Sequence, residues 1–282
     1  MLADKKILFI GAGSMAEAMI SGFVQSEKIS PKQIIVTNRT NEKRLSELES
    51  KYGVIGLTQN QLSLTEIDIF IFAMKPKDVA KAIETLKHHI QANQLILSVL
   101  AGIPTSYFEQ ILQNDQQVVR VMPNTSSMIG ESATAISPGL HTTDEKIQLA
   151  KSLLECIGRI FIIDEQKMDV FTGIAGSGPA YFYYFMEYME KEALKAGLEV
   201  ENARQIIAQT IVGAAKMVQE QEESPTLLRE NVTSPNGTTA AGISALEVYQ
   251  GGLAISKAVE YATKRSKEIS VQIKDSILVS ID

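Results

Sequence analysis

The sequence predicts an α/β N-terminal half built on a mainly parallel sheet, followed by an all-helical C-terminal half. Three observations carry that expectation. Short apolar runs alternate with amphipathic stretches up to about residue 164, no run beyond it reads as a strand, and a glycine turn, Gly11-Ala12-Gly13, follows directly on the first run. Strands that are apolar on both faces need helices on both sides of their sheet, and regular alternation with helices makes most of them parallel.

Taken in order, the first apolar run, 7–10, leads through the glycine turn into an amphipathic stretch at 15–25. Runs at 34–37, 69–73, 95–99, 118–122, 133–137 and 160–163 repeat the β-branched, apolar composition of strands. Helical patterns fill the intervals at 41–52, 77–89, 104–112 and 143–156. Beyond residue 164 long helices take over. The stretch 179–196 opens at Gly178-Pro179 and stops at Gly197, with Pro at the first helical position and Gly past the last. The stretch 200–220 keeps one apolar face through Ile206, Ile207, Thr210, Ile211, Ala214 and Met217. Helices at 238–249 and 253–269 follow, separated by Gly251-Gly252. The expected domains are therefore 1–164 and 165–282, with no low-complexity linker between them. A helical set this rich in Ala and Met is either one domain's core or half of a core shared by two subunits.

Composition narrows the function. The chain has 282 residues, 45% of them hydrophobic and 21% charged, and a net charge of −6. An acidic balance argues against a nucleic-acid or anionic-membrane partner. The single cysteine, Cys156, makes no internal disulfide, which fits a reducing cytoplasm. Residues 1–6 lack the apolar stretch of a secretory signal, and the longest apolar run, 69–74, is too short to span a bilayer.

Two stretches carry chemistry. The first reads G-x-G-x-x-A: Gly11 permits the tight turn, Gly13 lets backbone approach a pyrophosphate, and Ala16 leaves room for close packing of helix on strand. Set directly after the first strand of an α/β half, this pattern predicts a Rossmann-like dinucleotide site. The second strand ends in Thr37-Asn38-Arg39-Thr40, where an NAD enzyme usually carries an acid for the ribose hydroxyls. Donors and a positive charge there favour NADPH, with NADH the weaker alternative. The loops Ala73-Met74-Lys75-Pro76 and Val99-Leu100-Ala101-Gly102 end two further strands on the ligand side of such a sheet.

The second stretch is Val232-Thr233-Ser234-Pro235-Asn236-Gly237-Thr238-Thr239. Ser-Pro-Asn-Gly is turn chemistry, and the paired threonines open a helix, so hydroxyls and unpaired N–H groups gather at a helix N-terminus. Such an end holds a small anion without lysine or arginine, and it also reads as an ordinary N-cap. The three histidines, His88, His89 and His141, lack zinc-ligand spacing. Reducing a carbonyl demands a proton donor for the developing alkoxide. A protonated imine is already electrophilic, so a neutral, hydroxyl-lined anion site beside a nicotinamide points to imine reduction.

In combination these residues resemble the pyrroline-5-carboxylate reductase family. The resemblance rests on residues 11–19, Phe72-Ala73-Met74-Lys75-Pro76, Val121-Met122-Pro123-Asn124-Thr125, 173–181 and, most diagnostically, 228–239. It implies a Rossmann domain, an all-helical dimerisation domain interlaced with a second subunit, and NADPH-dependent reduction of 1-pyrroline-5-carboxylate to L-proline. Carried over by motif, Gly11, Gly13, Ser14, Met15, Ala16, Asn38, Arg39, Thr40, Asn60, Ala73, Met74, Lys75, Pro76, Ala101 and Asn231 would hold the cofactor. Glu222, Val232, Ser234, Gly237, Thr238 and Thr239 would hold the substrate, with Thr239 nearest the imine nitrogen as the catalytic group. No metal is implied. Glu222 also reads as one more solvated acid in Gln219-Glu220-Gln221-Glu222-Glu223. Asn236 and Thr238 stand where many relatives carry glycine and alanine.

Two rival readings remain at this stage. A β-hydroxyacid dehydrogenase shares the two-domain plan and a G-x-x-G-x-G pattern (Gly173, Gly176 and Gly178), but this chain has Tyr181 in place of that family's catalytic lysine. A non-catalytic NADP-binding protein would keep the glycine turn and have no need of the hydroxyl cluster.

Overall fold

A computed structural model describes the chain from Leu2 to Leu278 and its side chains to Gln272. It divides into two compact units: residues up to Ser177 together with those from Tyr261 onward, and Gly178–Glu260.

The first unit is built on eight strands: β1 (Ile7–Ile10), β2 (Ile34–Thr37), β3 (Ile55–Gly56), β4 (Ile69–Phe72), β5 (Leu95–Ser98), β6 (Gln117–Met122), β7 (Ser132–Pro138) and β8 (Gly158–Ile162). Their order is β3-β2-β1-β4-β5-β6-β7-β8. Every neighbouring pair is parallel except β6 with β7. The order reverses at β1, which pairs with β2 on one side and β4 on the other (Ile7 opposite both Ile34 and Ile69). That reversal opens a crevice at the carboxyl ends of β1 and β4, the place where open parallel sheets take their ligands.

Five helices cover the sheet: α1 (Ser14–Gln25), α2 (Glu42–Tyr52), α3 (Val79–Leu86), α4 (Thr105–Ile111) and α5 (Asp144–Leu154). The alternation of side chains along each strand divides the core in two. Ile7 and Phe9 of β1 pack with Met19, Phe23, Leu48 and Leu153, whereas Leu8 and Ile10 pack with Phe72, Val79, Ile83 and Phe108. Phe72 and Phe108 meet edge to face with centroids 5.1 Å apart. Burying such a side chain contributes about 1.5–3 kcal/mol, so both faces hold the sheet in place.

After β8 the chain makes a short α6 (Met168–Phe171) that runs into a π-helical turn, Thr172–Gly176. The second unit then comprises α7 (Gly178–Lys195), α8 (Val200–Glu220), α9 (Pro225–Asn231), α10 (Thr238–Val248) and the start of α11 (Gly251–Leu278). Gly197, at φ +88°, closes α7, with the N–H of Leu198 donating to the carbonyl of Ala193 (3.1 Å). Within this unit only Gly178, Ala203 and Ile207 are buried. Phe182, Tyr183, Tyr184, Phe185 and Tyr188 are all exposed.

The structure departs from the sequence expectations at several boundaries. The helix expected over 77–89 begins with a 3-10 turn, Pro76–Asp78, and α3 itself is short. α9 forms over residues for which the sequence pattern gave no helix; Ser224 accepts the N–H of Leu227, and Pro225 follows it. Gly251-Gly252 does not separate the last two helices but opens α11. The break lies at Gln250, which takes a left-handed φ of +56°.

Candidate active site

The glycine turn begins where β1 ends. Gly11 adopts φ +116°, a region that side chains avoid, and donates its N–H to the carbonyl of Thr37 (2.9 Å). A Cβ on Gly11 would stand 2.6 Å from the backbone carbonyl of Ala73, because the end of β4 passes directly beside the turn. Gly13 differs. It is the N-cap of α1 with no side-chain cap, and a Cβ there would meet nothing closer than the carbonyl oxygen of Ala73 at 4.0 Å. Ala16 is fully buried against the sheet. The turn therefore has a tight first glycine, an open second position and a packed alanine, followed by Ser14 and Met15 at an uncapped helix N-terminus. That arrangement fits a pyrophosphate.

Around this turn lie the ends of the other strands. Asn38 shapes the β2–α2 loop: its amide donates to the carbonyl of Asn41 and accepts the N–H of Asn41, both at 2.7 Å. Arg39 is exposed and reaches Asp78 on the β4–α3 turn (3.6 Å), and Thr40 is exposed beside it. Met74 packs on the second core, while Lys75 is exposed and makes no ion pair among the described residues. Pro76 opens the 3-10 turn. Ala101 is exposed in the loop after β5, beside Gly102 at φ +78°. Asn60 is exposed in the 3-10 turn Gln59–Gln61 that follows β3.

Two supports went unread in the sequence. The Arg44 guanidinium donates from Nε to the carbonyl of Ala12 inside the glycine turn (3.0 Å) and pairs with Glu17 on α1. Lys51 (2.8 Å), Arg44 and Tyr52 surround Glu17 and hold its carboxyl down at about 2. An arginine in the charged stretch 41–52 reads as a solvated face, so nothing in the sequence separates it from its neighbours. The second is Asn124, buried after β6, which accepts from the N–H of Ser126 and donates to the carbonyl of Ala175 in the π-helical turn (3.0 Å). Its motif was visible, its partner was not.

In the second unit the hydroxyl stretch takes the shape its residues dictate. The N–H of Gly237 donates to the carbonyl of Ser234 (3.0 Å), and Asn236 sits at φ +60° between them, so Asn serves where glycine is the common choice. Gly237 then becomes the N-cap of α10, with no side chain closing that end. Thr238 and Thr239 occupy its first turn. A Cβ on Gly237 would fall 2.4 Å from the Ser234 hydroxyl. Thr233 is spent locally, its hydroxyl donating to the carbonyl of Arg229 (2.6 Å) to finish α9. Val232 is two-thirds exposed. Asn231 ends α9 with its amide 3.4 Å from the Glu223 carboxylate, and Glu222 is exposed in the α8–α9 connection.

A doubly covered, mainly parallel sheet with this turn at its reversal, followed by a helical unit carrying an open helix end, defines a two-part dinucleotide-dependent oxidoreductase. A family model described as pyrroline-5-carboxylate reductase dimerisation matches residues 165–269, and one described as NADP oxidoreductase, coenzyme F420-dependent, matches residues 6–102. Pyrroline-5-carboxylate reductase 1 of Bacillus subtilis is 58% identical over 271 residues, covering 96% of this chain and 91% of the relative. The chain belongs to the pyrroline-5-carboxylate reductase family. Pyrroline-5-carboxylate reductase 2 of the same organism is 44% identical, covering 97% of this chain and 98% of its own. Among solved structures, the pyrroline carboxylate reductase of Plasmodium falciparum with NADP bound superposes with a TM-score of 0.86 at 26% identity, covering 96% of this chain and 100% of the other. The Coxiella burnetii enzyme gives 0.83 at 32% identity, covering 94% and 98%.

Proposed function

We propose that this chain reduces 1-pyrroline-5-carboxylate to L-proline with NADPH, by hydride transfer to the imine carbon. The observation that carries the reading is the open first turn of α10, presented by the Ser234–Gly237 turn with hydroxyls and no charged group in it. A planar cyclic imino acid offers a carboxylate to such an end and an imine nitrogen to a hydroxyl beside it.

In this reading Ser234, Gly237 and Thr238 hold the carboxylate through the α10 N–H groups and the Ser234 hydroxyl. Val232 and Glu222 border the ring. Thr239 hydrogen-bonds the imine nitrogen and orients its carbon. When bound, NADPH supplies the hydride. Gly11, Gly13, Ser14, Met15 and Ala16 hold its pyrophosphate. Asn38, Arg39 and Thr40 receive the 2′-phosphate end, and Asn60, Ala73, Met74, Lys75, Pro76, Ala101 and Asn231 line the remainder. The functional domains are 1–164 and 165–282. Because the imine nitrogen carries its proton into the site, no strong acid is required of the chain, and the reaction needs only alignment and exclusion of water.

The exposed aromatic row of α7 and the matched dimerisation segment support a homodimer, with assemblies of dimers as the larger form. The acidic charge and the lone buried cysteine support work in the cytoplasm. The test is NADPH oxidation with 1-pyrroline-5-carboxylate, set against a panel of 3-hydroxy acids with NADP and a control without substrate. Oxidation with the imine alone is expected. Turnover of a hydroxy acid instead would favour a dehydrogenase, and binding of NADPH without any turnover would favour a non-catalytic role.

A further inference from the structure

The sheet of the first unit ends at β8, and that edge lacks the usual protection. Strands at sheet edges are normally blunted by charge, proline or a covering segment, because their unpaired N–H and C=O groups recruit other strands. β8 reads Gly158-Arg159-Ile160-Phe161-Ile162, with one charge and no proline. Its side chains are exposed on both faces at once: Phe161 is 42% exposed on one, Ile162 55% on the other.

The backbone direction is fixed by one bond. The N–H of Ile163 donates to the carbonyl of Ile136 (3.0 Å), and Ile136 lies opposite Ile162. In a parallel ladder alternate residues face the partner, so Arg159, Phe161 and Ile163 turn their peptide groups toward β7. Gly158, Ile160 and Ile162 turn theirs outward, and no hydrogen bond from a described side chain reaches them. The segment matched by the dimerisation family model starts at residue 165, three residues after the strand ends. The open edge is thus continuous in sequence with the dimerising half.

We propose that β8 pairs with β8 of a second copy, antiparallel about a two-fold axis beside Ile160, joining the two sheets into one. The proposal rests on the dimer reading and adds the arrangement of the sheets to it. A two-fold contact demands a self-complementary surface, which a short antiparallel strand provides. Centring the pair on Ile160 sets Gly158 opposite Ile162 of the second copy, so every outward peptide group finds a partner, in about six main-chain hydrogen bonds. A register centred on either neighbour leaves one outward residue unpaired. The pairing also sets Ile162 diagonal to Ile160 of the second copy and Phe161 diagonal to its own counterpart, so both exposed side chains gain an apolar neighbour.

The test uses the full chain. In a Cys156→Ala background, Ile160→Cys places two thiols across the axis within disulfide reach, and mild oxidation should give a covalent dimer in high yield. Phe161→Cys should not crosslink, since its Cα atoms would lie about 8 Å apart. Hydrogen exchange on the unmutated chain gives a second readout: the Ile160 and Ile162 amides should exchange at least about a hundredfold more slowly in the dimer than an open edge allows. A dimer in which Ile160→Cys stays reduced and both amides exchange rapidly overturns the strand pairing and leaves the helical dimer intact. A chain that sediments as a monomer at all concentrations overturns the dimer itself, and this arrangement with it.

Discussion

The two units of this chain solve opposite problems. The first buries Phe9, Phe23, Phe70, Phe72 and Phe108 completely and seals both faces of its sheet. The second, 83 residues from Gly178 to Glu260, buries only Gly178, Ala203 and Ile207 while exposing a row of aromatic residues on α7. A segment of that length with so little interior cannot offset its own chain entropy. The first is a finished domain; the second leaves its apolar surface open, within the segment that the dimerisation model matches.

Five expected outcomes break or sharpen this contrast, beginning with the largest. Gly11→Ala forces a Cβ into the backbone of Ala73 at a left-handed φ, so NADPH affinity should fall more than about 100-fold, by fluorescence titration, with the dimer unchanged. Thr239→Val keeps shape but removes the hydroxyl; kcat should fall by roughly 30- to 100-fold while the NADPH Kd holds. Unchanged kinetics would remove Thr239 from the chemistry.

Glu17→Gln tests the finished unit. The folded carboxyl titrates at about 2 against an ordinary 4.5, so its stabilisation is complete above about pH 4.5 and is lost as pH falls toward 2. The variant should be less stable at pH 7 by about 2 kcal/mol in denaturant titrations, and the gap should close across that window. Phe185→Asp tests the unfinished unit: with no effect expected on a solitary helix surface, it should instead raise the dimer Kd at least about tenfold by analytical ultracentrifugation. The smallest effect is expected at Arg39→Ala, a roughly fivefold loss of NADPH affinity with NADH unaffected; equal losses would show that Arg39 does not read the 2′-phosphate.

The contrast also explains what was legible in the sequence. The strands β1, β2, β4, β5, β6, β7 and β8 stood out because their runs are dense in Ile, Val, Leu, Phe and Ala, with polar residues at scattered positions, and the glycine turn because glycine readily takes the φ of Gly11. β3 was invisible at two residues, Ile55–Gly56. The π-helical turn has no composition of its own, since it differs from an α-helix only in which carbonyl Ser177 reaches. The Ser234–Gly237 turn was readable from Pro235 and Asn236, and Thr233 falls where a purely structural role puts it. Arg44 and Asn124 escaped because their importance lies in partners 32 and 51 residues away, a relation no local pattern encodes.

The antiparallel β7 has one more effect. Because β7 runs against β6 and β8 runs with β7, β8 points opposite to the six strands whose carboxyl ends form the ligand edge. The chain leaves the sheet heading away from that edge. Yet by Ala175 it is back there, hydrogen-bonded to Asn124 just past the end of β6. The residues between work as a spacer of fixed length, and the π turn, with its wider loop of backbone, absorbs one residue more than an α-helix would over the same rise. A strand that runs backwards thus sets a length that the next segment has to match.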